Sequence, residues 1–208
     1  MTDPLIHFSQ DDYKIIKREV LYKGIFTLAR YQLQYRTFQG GWSNVCSREI
    51  LERNQAAAIL PYDPVLDRVV LIQQFRIGAI EGPGQAWLVE TIAGSFDPDE
   101  GAVNAAIRES EEEAGCKILD IHPICDYFCS PGGTNEYVHI FCGRVDASNI
   151  DGIYGLHEEE EDIRAFSLSI DEAFTLFQEG KIKTAPAITA LLWLKLNHEW
   201  LKKLWHPR

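Results

Sequence analysis

From position 13 to position 50 the chain alternates apolar and polar residues in short runs, as in "FTLARYQLQYRTF" (26–38). A period of two marks half-buried strands, and the turn-forming "QGGWSN" (39–44) that follows predicts a small antiparallel sheet. "AAAIL" (56–60) and "RVVLIQQFRI" (68–77) predict two strands separated by the turn "PYDPVLD". "AWLVETIAG" (86–94) predicts one strand leading straight into a helix. "PICDYFC" and "EYVHIFCGRV" predict a strand pair around the loop "SPGGTNE" (130–136), and "IRAFSLS" (163–169) a further strand. Two helices close the chain: Ser169 and Glu172 form a capping box, Gly180 marks the first helix's end, and Pro186 suits the first turn of the second. The expected fold class is α/β, with a mixed α/β domain over 51–208 preceded by a small antiparallel β region over 1–50.

The helix that follows position 94 reads "GSFDPDEGAVNAAIRESEEEAGC" from Gly94 to Cys116. Asp97 is a candidate N-cap, Pro98 a first helical residue and Glu100 a capping-box acid. Helical periodicity places Val103, Ile107, Ser110 and Ala114 on one face, expected to pack on the core. Glu109, Glu112 and Glu113 then lie opposite, flanked by the small residues Ala102, Ala105, Ala106 and Cys116, on a face low enough for a ligand to approach.

That arrangement is costly by itself. Glu109 repels Glu112 and Glu113 at spacings of three and four, by roughly 0.2–0.5 kcal/mol each. The helix dipole also disfavours acids in the C-terminal half, and Arg108 alone answers them within the helix. A hard divalent cation, Mg²⁺ or Mn²⁺, removes the penalty, whereas a plain solvated face leaves it in place.

Charge sharpens the picture. At 208 residues with a net charge of −11, the chain is not expected to grip nucleic acid or an acidic membrane by its overall field. A small anion remains compatible with an acidic protein when cations reverse the local sign. "MTDPLIHFSQ" has neither a basic nor an apolar stretch of a signal peptide, and the apolar "APAITALLWLKLNHEWLKKLW" (185–205) is interrupted by Lys195, Asn197, His198 and Glu199, so it predicts no membrane span. The five scattered cysteines (Cys46, Cys116, Cys125, Cys129 and Cys142) read as buried free thiols of a cytoplasmic protein.

Gly94, Glu100, Arg108, Glu109, Glu112, Glu113 and Gly115 stand as G-x5-E-x7-R-E-x-x-E-E-x-G. This order resembles the signature of the Nudix hydrolases, which cleave nucleoside diphosphates linked to another moiety. Ser110 and Cys116 depart from it, standing where the family prefers an aliphatic residue. The resemblance implies an α/β/α sandwich around a mixed sheet. Glu109, Glu112 and Glu113 would hold divalent metal, with the carbonyl of Ala93 as a further ligand. Glu100 and Arg108 would be structural partners, and Gly94 and Gly115 would permit tight backbone at either end.

"SPGGTNE", with Pro131 fifteen residues past Cys116, resembles the ADP-ribose pyrophosphatase subgroup of that family. The likeness implies substrate contacts from Ser130, Gly132 and Glu136. It extends through "GLHEEEEDIR" (155–164), a loop that in the subgroup supplies the catalytic base. By residue-wise matching Glu159 is the first choice for that base, and Glu161 is either the alternative base or a metal-shell carboxylate. Arg48 and Arg76 match positions that contact the diphosphate, and Phe26 is a candidate for stacking on adenine. In this subgroup the N-terminal sheet is exchanged between the two subunits of a homodimer.

The expected activity is Mg²⁺-dependent hydrolysis of ADP-ribose to AMP and ribose 5-phosphate. Two other readings stand beside it: hydrolysis of another nucleotide sugar such as GDP-mannose or ADP-glucose, and a non-catalytic regulator that binds the nucleotide or the metal.

Overall fold

The computed structural model describes residues 4–205, and of Glu159 the backbone alone. Its contacts divide the chain into two units, one of residues up to 53 with 128–136, the other of 54–127 with 137 onward.

In the first unit, β1 (Tyr13–Lys23), β2 (Thr27–Tyr35) and β3 (Cys46–Glu52) form an antiparallel sheet in that order. The alternating N-terminal runs thus fold as strands, and Gly40 and Gly41 close the second turn with positive φ. A cross-strand cluster ties the sheet together: Arg18 Nε on β1 donates to Glu52 Oε1 on β3 at 2.8 Å, beside Tyr31 on β2. The "SPGGTNE" loop belongs to this unit. Leu51 N–H donates to the carbonyl of Gly133 at 2.9 Å, and Arg53 N–H to Asn135 Oδ1 at 2.7 Å.

The second unit holds β4 (Gln55–Asp63), β5 (Arg68–Phe75), β6 (Trp87–Glu90), β7 (Ile92–Phe96), α1 (Ala102–Ala114), β8 (Asp120–Phe128), β9 (Tyr137–Arg144), β10 (Asp151–Tyr154), β11 (Ile163–Ser169), α2 (Ile170–Gln178) and α3 (Ala185–Trp205). The main sheet runs β10-β11-β5-β4-β9-β8, with β4 parallel to β9 and antiparallel to β5. Alternation along β4 sorts the core. Ala58, Leu60 and Tyr62 pack towards Phe174 of α2 and Leu191 and Leu194 of α3, while Ala57 and Ile59 pack towards Ala105, Ala106 and Ala114 of α1. Both faces of β4 are covered, which explains its unbroken apolar sequence and gives an α/β/α sandwich. As expected, Ser169 and Glu172 cap α2, and Pro186 lies in the first turn of α3.

Three expectations need correction. "AWLVETIAG" is two strands broken at Thr91, because β4 and β5 pair only at Tyr62↔Val69 and Asp63↔Arg68 and then part. Beyond that point β6 follows β5 and β7 follows β4, and no single straight strand could line both. The turn after β4 is shorter than "PYDPVLD": the strand runs through Asp63, whose carboxylate accepts from the N–H groups of Val65, Leu66 and Ala147. Of the five free cysteines, Cys116 and Cys142 are buried but Cys125 and Cys129 are exposed, Cys125 lying on the edge strand β8. No helix among the described residues is long and apolar enough to cross a membrane.

Candidate active site

The glutamate helix α1 starts later than Asp97 and Pro98 suggest. Its N-cap is Gly101, at φ 78°, and Asp97 to Glu100 form a turn closed by Glu100 N–H on the carbonyl of Asp97. Glu100 is drawn instead to Arg108, whose Nε and Nη2 reach its two oxygens at 2.7 and 3.2 Å.

The helix face also differs from the expectation. Val103 is 43% exposed, whereas Ala105, Ala106, Ser110, Glu113 and Ala114 are buried, Glu113 to 2% exposure. At about 100° per residue, Ala102, Ala106, Ser110 and Glu113 fall within one arc, and its small side chains let α1 approach the sheet closely. The alanines that looked like a shallow outer surface are the packing surface, and the carboxylates are carried inward with them. Ser110 fits beneath the helix because its hydroxyl donates to the carbonyl of Ala106 at 2.7 Å.

Glu113 Oε2 accepts a hydrogen bond from Ala93 N–H on β7 at 3.0 Å. Burial pushes its carboxyl up to about 8, against the opposing Ala93 N–H and the Arg76 charge, with Glu109 and Glu161 adding to the rise. Burial also raises Glu109, opposed by Arg108. Arg108 Nη1 lies 2.7 Å from both Glu109 and Glu112, so one guanidinium serves three acids of this helix segment. Among the described residues no three His, Cys, Asp or Glu side chains are gathered as they stand into a metal-holding group. Glu109 and Glu112 are drawn instead onto the Arg108 guanidinium.

The residues nevertheless fit a hard divalent ion. A Cβ at Gly94 would overlap the Glu109 carboxylate, so β7 keeps a glycine where that carboxylate is seated. The donor set is all oxygen, and a cation would favour the ionised form of Glu113 that burial disfavours.

The second acidic stretch is keyed to the end of α1. Gly115 ends the helix in the left-handed conformation, and a Cβ there would press on the Tyr154 ring. Gly155 N–H donates to the carbonyl of Glu112 at 3.2 Å. Glu161 folds back on the same loop, its Oε2 accepting from Leu156 N–H at 3.1 Å, and its charge acts on both Glu109 and Glu113. The backbone of His157–Glu159 forms a 3-10 turn, and the Glu159 side chain lies outside the described residues.

Arg76 follows β5 and donates through Nε to Glu90 Oε2 at 2.7 Å. Glu90, Gln74 and Thr91 are buried polar residues that sequence reasoning passed over, and Gln74 Nε2 and Thr91 Oγ1 have no hydrogen-bond partner among the described residues. The available signal was a charged or amide residue inside otherwise apolar strands. In the first unit, Arg48 is exposed and its Nη1 donates to the carbonyl of Ser47. Ser130 and Gly132 lie in the exposed loop, where the Ser130 carbonyl accepts from the N–H groups of Gly133 and Thr134. Arg53, also missed, joins two of the chosen residues: its guanidinium lies 4.7 Å from the Phe26 ring centroid and 2.9 Å from Glu136.

The NUDIX domain model matches residues 52–190. The ADP-ribose pyrophosphatase of Escherichia coli (strain K12) is 44% identical over 200 residues, covering 96% of each chain. That of Haemophilus influenzae is 42% identical over 202 residues, covering 96% of this chain and 93% of its own. A GDP-mannose pyrophosphatase of Shigella flexneri is 31% identical over 186 residues, covering 88% and 95%. The crystal structure of an ADP compounds hydrolase superposes with a TM-score of 0.69 at 21% identity, over 97% of this chain and all of the other, a likeness of fold. The domain match over residues 52–190, together with 44% identity to a curated relative along 96% of both chains, makes the chain a member of the NUDIX family.

Proposed function

We propose that the protein hydrolyses the diphosphate of ADP-ribose to AMP and ribose 5-phosphate. The observation that carries this reading is the seating of the α1 acids on β7, Glu109 against Gly94 and Glu113 on the Ala93 N–H, with Glu161 and Arg76 near enough for their charges to act on Glu113. The substrate follows from the 44% identity with an ADP-ribose pyrophosphatase over 96% of both chains.

Glu109, Glu112, Glu113, Glu161 and the Ala93 carbonyl are the residues to hold Mg²⁺ or Mn²⁺, which when bound supplies Lewis-acid neutralisation of phosphate charge. Glu159, or else Glu161, takes the proton of the attacking water. Arg76 pairs with phosphate oxygens through its planar fork, and Arg48 is proposed for the same role. Arg108 and Glu100 brace the helix start, and Gly94 and Gly115 leave room for Glu109 and Tyr154. From the first unit, Phe26 is proposed to stack on adenine, and Ser130, Gly132 and Glu136 to contact the ribose.

The protein is proposed to act in the cytoplasm as a homodimer that exchanges its N-terminal sheets. What supports the dimer is β1, exposed along its whole length with Ile15, Ile16, Val20 and Tyr22 among its residues.

The test is to compare hydrolysis rates of ADP-ribose, ADP-glucose and GDP-mannose with Mg²⁺ present. ADP-ribose is expected to be fastest, with AMP as product. The GDP-mannose pyrophosphatase relative supports a second substrate reading, and a rate about tenfold higher for GDP-mannose would establish it instead. Nucleotide binding with no turnover of any of the three would leave only the non-catalytic regulator.

A further inference from the structure

We propose that Glu90 is a positioning residue for Arg76, holding its guanidinium by Nε so that both Nη groups stay available to the diphosphate. The inference rests on the reading of this site as a diphosphate hydrolase, and it adds a residue that no signature position marks.

Strand register places the pair. Glu90 on β6 stands directly opposite Ile72 on β5, so the two share a sheet face. Arg76 is extended, at φ −127° and ψ 111°, and its N–H donates to the carbonyl of Ala86 at 2.8 Å. The β5 alternation therefore continues through Val70, Ile72, Gln74 and Arg76. Val70 and Ile72 pack in the same cluster as Ala105, Ala106 and Ala114, so this is the face that α1 covers. Arg76 carries its charge near enough to act on Glu113.

The chemistry of the contact is selective. Glu90 is only 8% exposed, and a carboxylate so placed needs a partner. It takes Nε of Arg76 at 2.7 Å, while the Nη groups donate to no other described residue. Arginine offers five donors in a fixed fork, and pairing through the Nη edge would use up the donors best suited to phosphate. Holding through Nε preserves them. Without Glu90, the guanidinium would still feel the charge of Glu113, an acid proposed to hold metal. Gln74, on the same face and 6% exposed, has an Nε2 with no acceptor among the described residues, a second donor left open on this face.

Steady-state kinetics with ADP-ribose and Mg²⁺ test the proposal on wild type, Glu90→Ala, Glu90→Gln, Arg76→Ala and the Glu90→Ala/Arg76→Ala double variant. Glu90→Ala is expected to raise KM about tenfold with a smaller fall in kcat, and Glu90→Gln, which keeps an acceptor at the same reach, to raise it less. The double variant should be no worse than Arg76→Ala alone, since Glu90 acts through Arg76. Additive losses, or an unchanged KM in Glu90→Ala, would overturn the proposal. If Glu90→Ala does not fold, as judged by its thermal midpoint, Glu90→Gln and Glu90→Asp paired with Arg76→Ala give the same cycle. If wild type releases no AMP, the functional reading has failed, and calorimetric binding of ADP across the same cycle decides the positioning role: about tenfold weaker binding in Glu90→Ala supports it, and equal binding sinks it.

Discussion

The carboxylate of Glu109 occupies the space that a side-chain carbon at Gly94 would need. A helix residue and a strand residue thus share one volume, and the sheet gives up a Cβ so that the acid can enter. Gly94→Ala should expel Glu109 from its seat while leaving β7 paired with β4 through Ala57. The expected result is metal affinity weakened about 10–100-fold, read as a rise in the Mg²⁺ concentration that half-saturates activity. An unchanged Mg²⁺ dependence would show that Glu109 needs no such seat.

Burial gives Glu113 a pH signature that depends on metal. Its carboxyl is raised to about 8 from an ordinary 4.5. Between those values the folded state keeps a proton that the unfolded chain has released. The stability contributed by this group is therefore full below about pH 4.5 and is lost as pH rises through about 8, with a slope of at most about 1.4 kcal/mol per pH unit. Glu109, raised by burial as well, acts in the same sense. Urea midpoints of metal-free protein near pH 5 and near pH 8 should thus fall more for wild type than for Glu113→Gln. The glutamine variant should also lose turnover by orders of magnitude, because an amide is a poor ligand for a hard cation. Equal pH slopes in the two proteins would mean that Glu113 is already ionised.

Arg108 stands in for a cation. It pairs with Glu100, Glu109 and Glu112 at 2.7 Å each. Arg108→Ala should cost about 1–3 kcal/mol of stability in metal-free protein, because three acids lose a charge-assisted partner. Adding Mg²⁺ should narrow the gap, since Glu109 and Glu112 are two of the acids proposed to hold the ion. A loss that Mg²⁺ leaves untouched would mean that Arg108 acts through packing alone.

Ser110 tests how tightly α1 is seated. It is fully buried and its hydroxyl is satisfied within the helix. Ser110→Ala should change stability by less than about 1 kcal/mol, whereas Ser110→Ile should overpack the contact with the sheet and cost about 1–3 kcal/mol. Thermal midpoints separate these outcomes, and a stabilised isoleucine variant would show slack beneath the helix.

Local pattern was enough for most of the frame. The period of two fixed the strands of the first unit and "IRAFSLS", and cap chemistry placed α2 and α3, because those signals act within a few residues. What misled was tertiary. The break at Thr91 follows from the parting of β4 and β5, a relation between strands that no single run displays. The late start of α1 follows from Glu100 pairing with Arg108 eight residues on. The wheel favoured Val103 as a core residue on hydrophobicity, yet close approach to a sheet favours alanine, and so Glu113 went inward. The grouping of Glu109 and Glu112 with Arg108 was legible through its spacing. Their neighbours Glu90, Gln74 and Arg53 were not, because each takes its meaning from a partner distant along the chain.

The two acids of the second loop can be separated by what each does in the free protein. Glu161 already has work: it accepts from Leu156 N–H, and its charge acts on Glu109 and Glu113. Glu161→Gln keeps an acceptor for Leu156 but removes a charge from the group proposed to hold metal, so its main effect should be a weaker response to Mg²⁺. Glu159 lies one residue before Glu160, which turns the chain at φ 56°. In its proposed role of proton acceptor, it should on replacement by Gln lower kcat by about 10²–10⁴-fold, with KM and Mg²⁺ half-saturation little changed. A pH–rate profile adds the discriminating readout, since loss of the base removes the acidic limb of kcat, whereas loss of a ligand can be offset by more metal. If Glu161→Gln alone abolishes that limb at saturating Mg²⁺, the roles are reversed and Glu161 is the base.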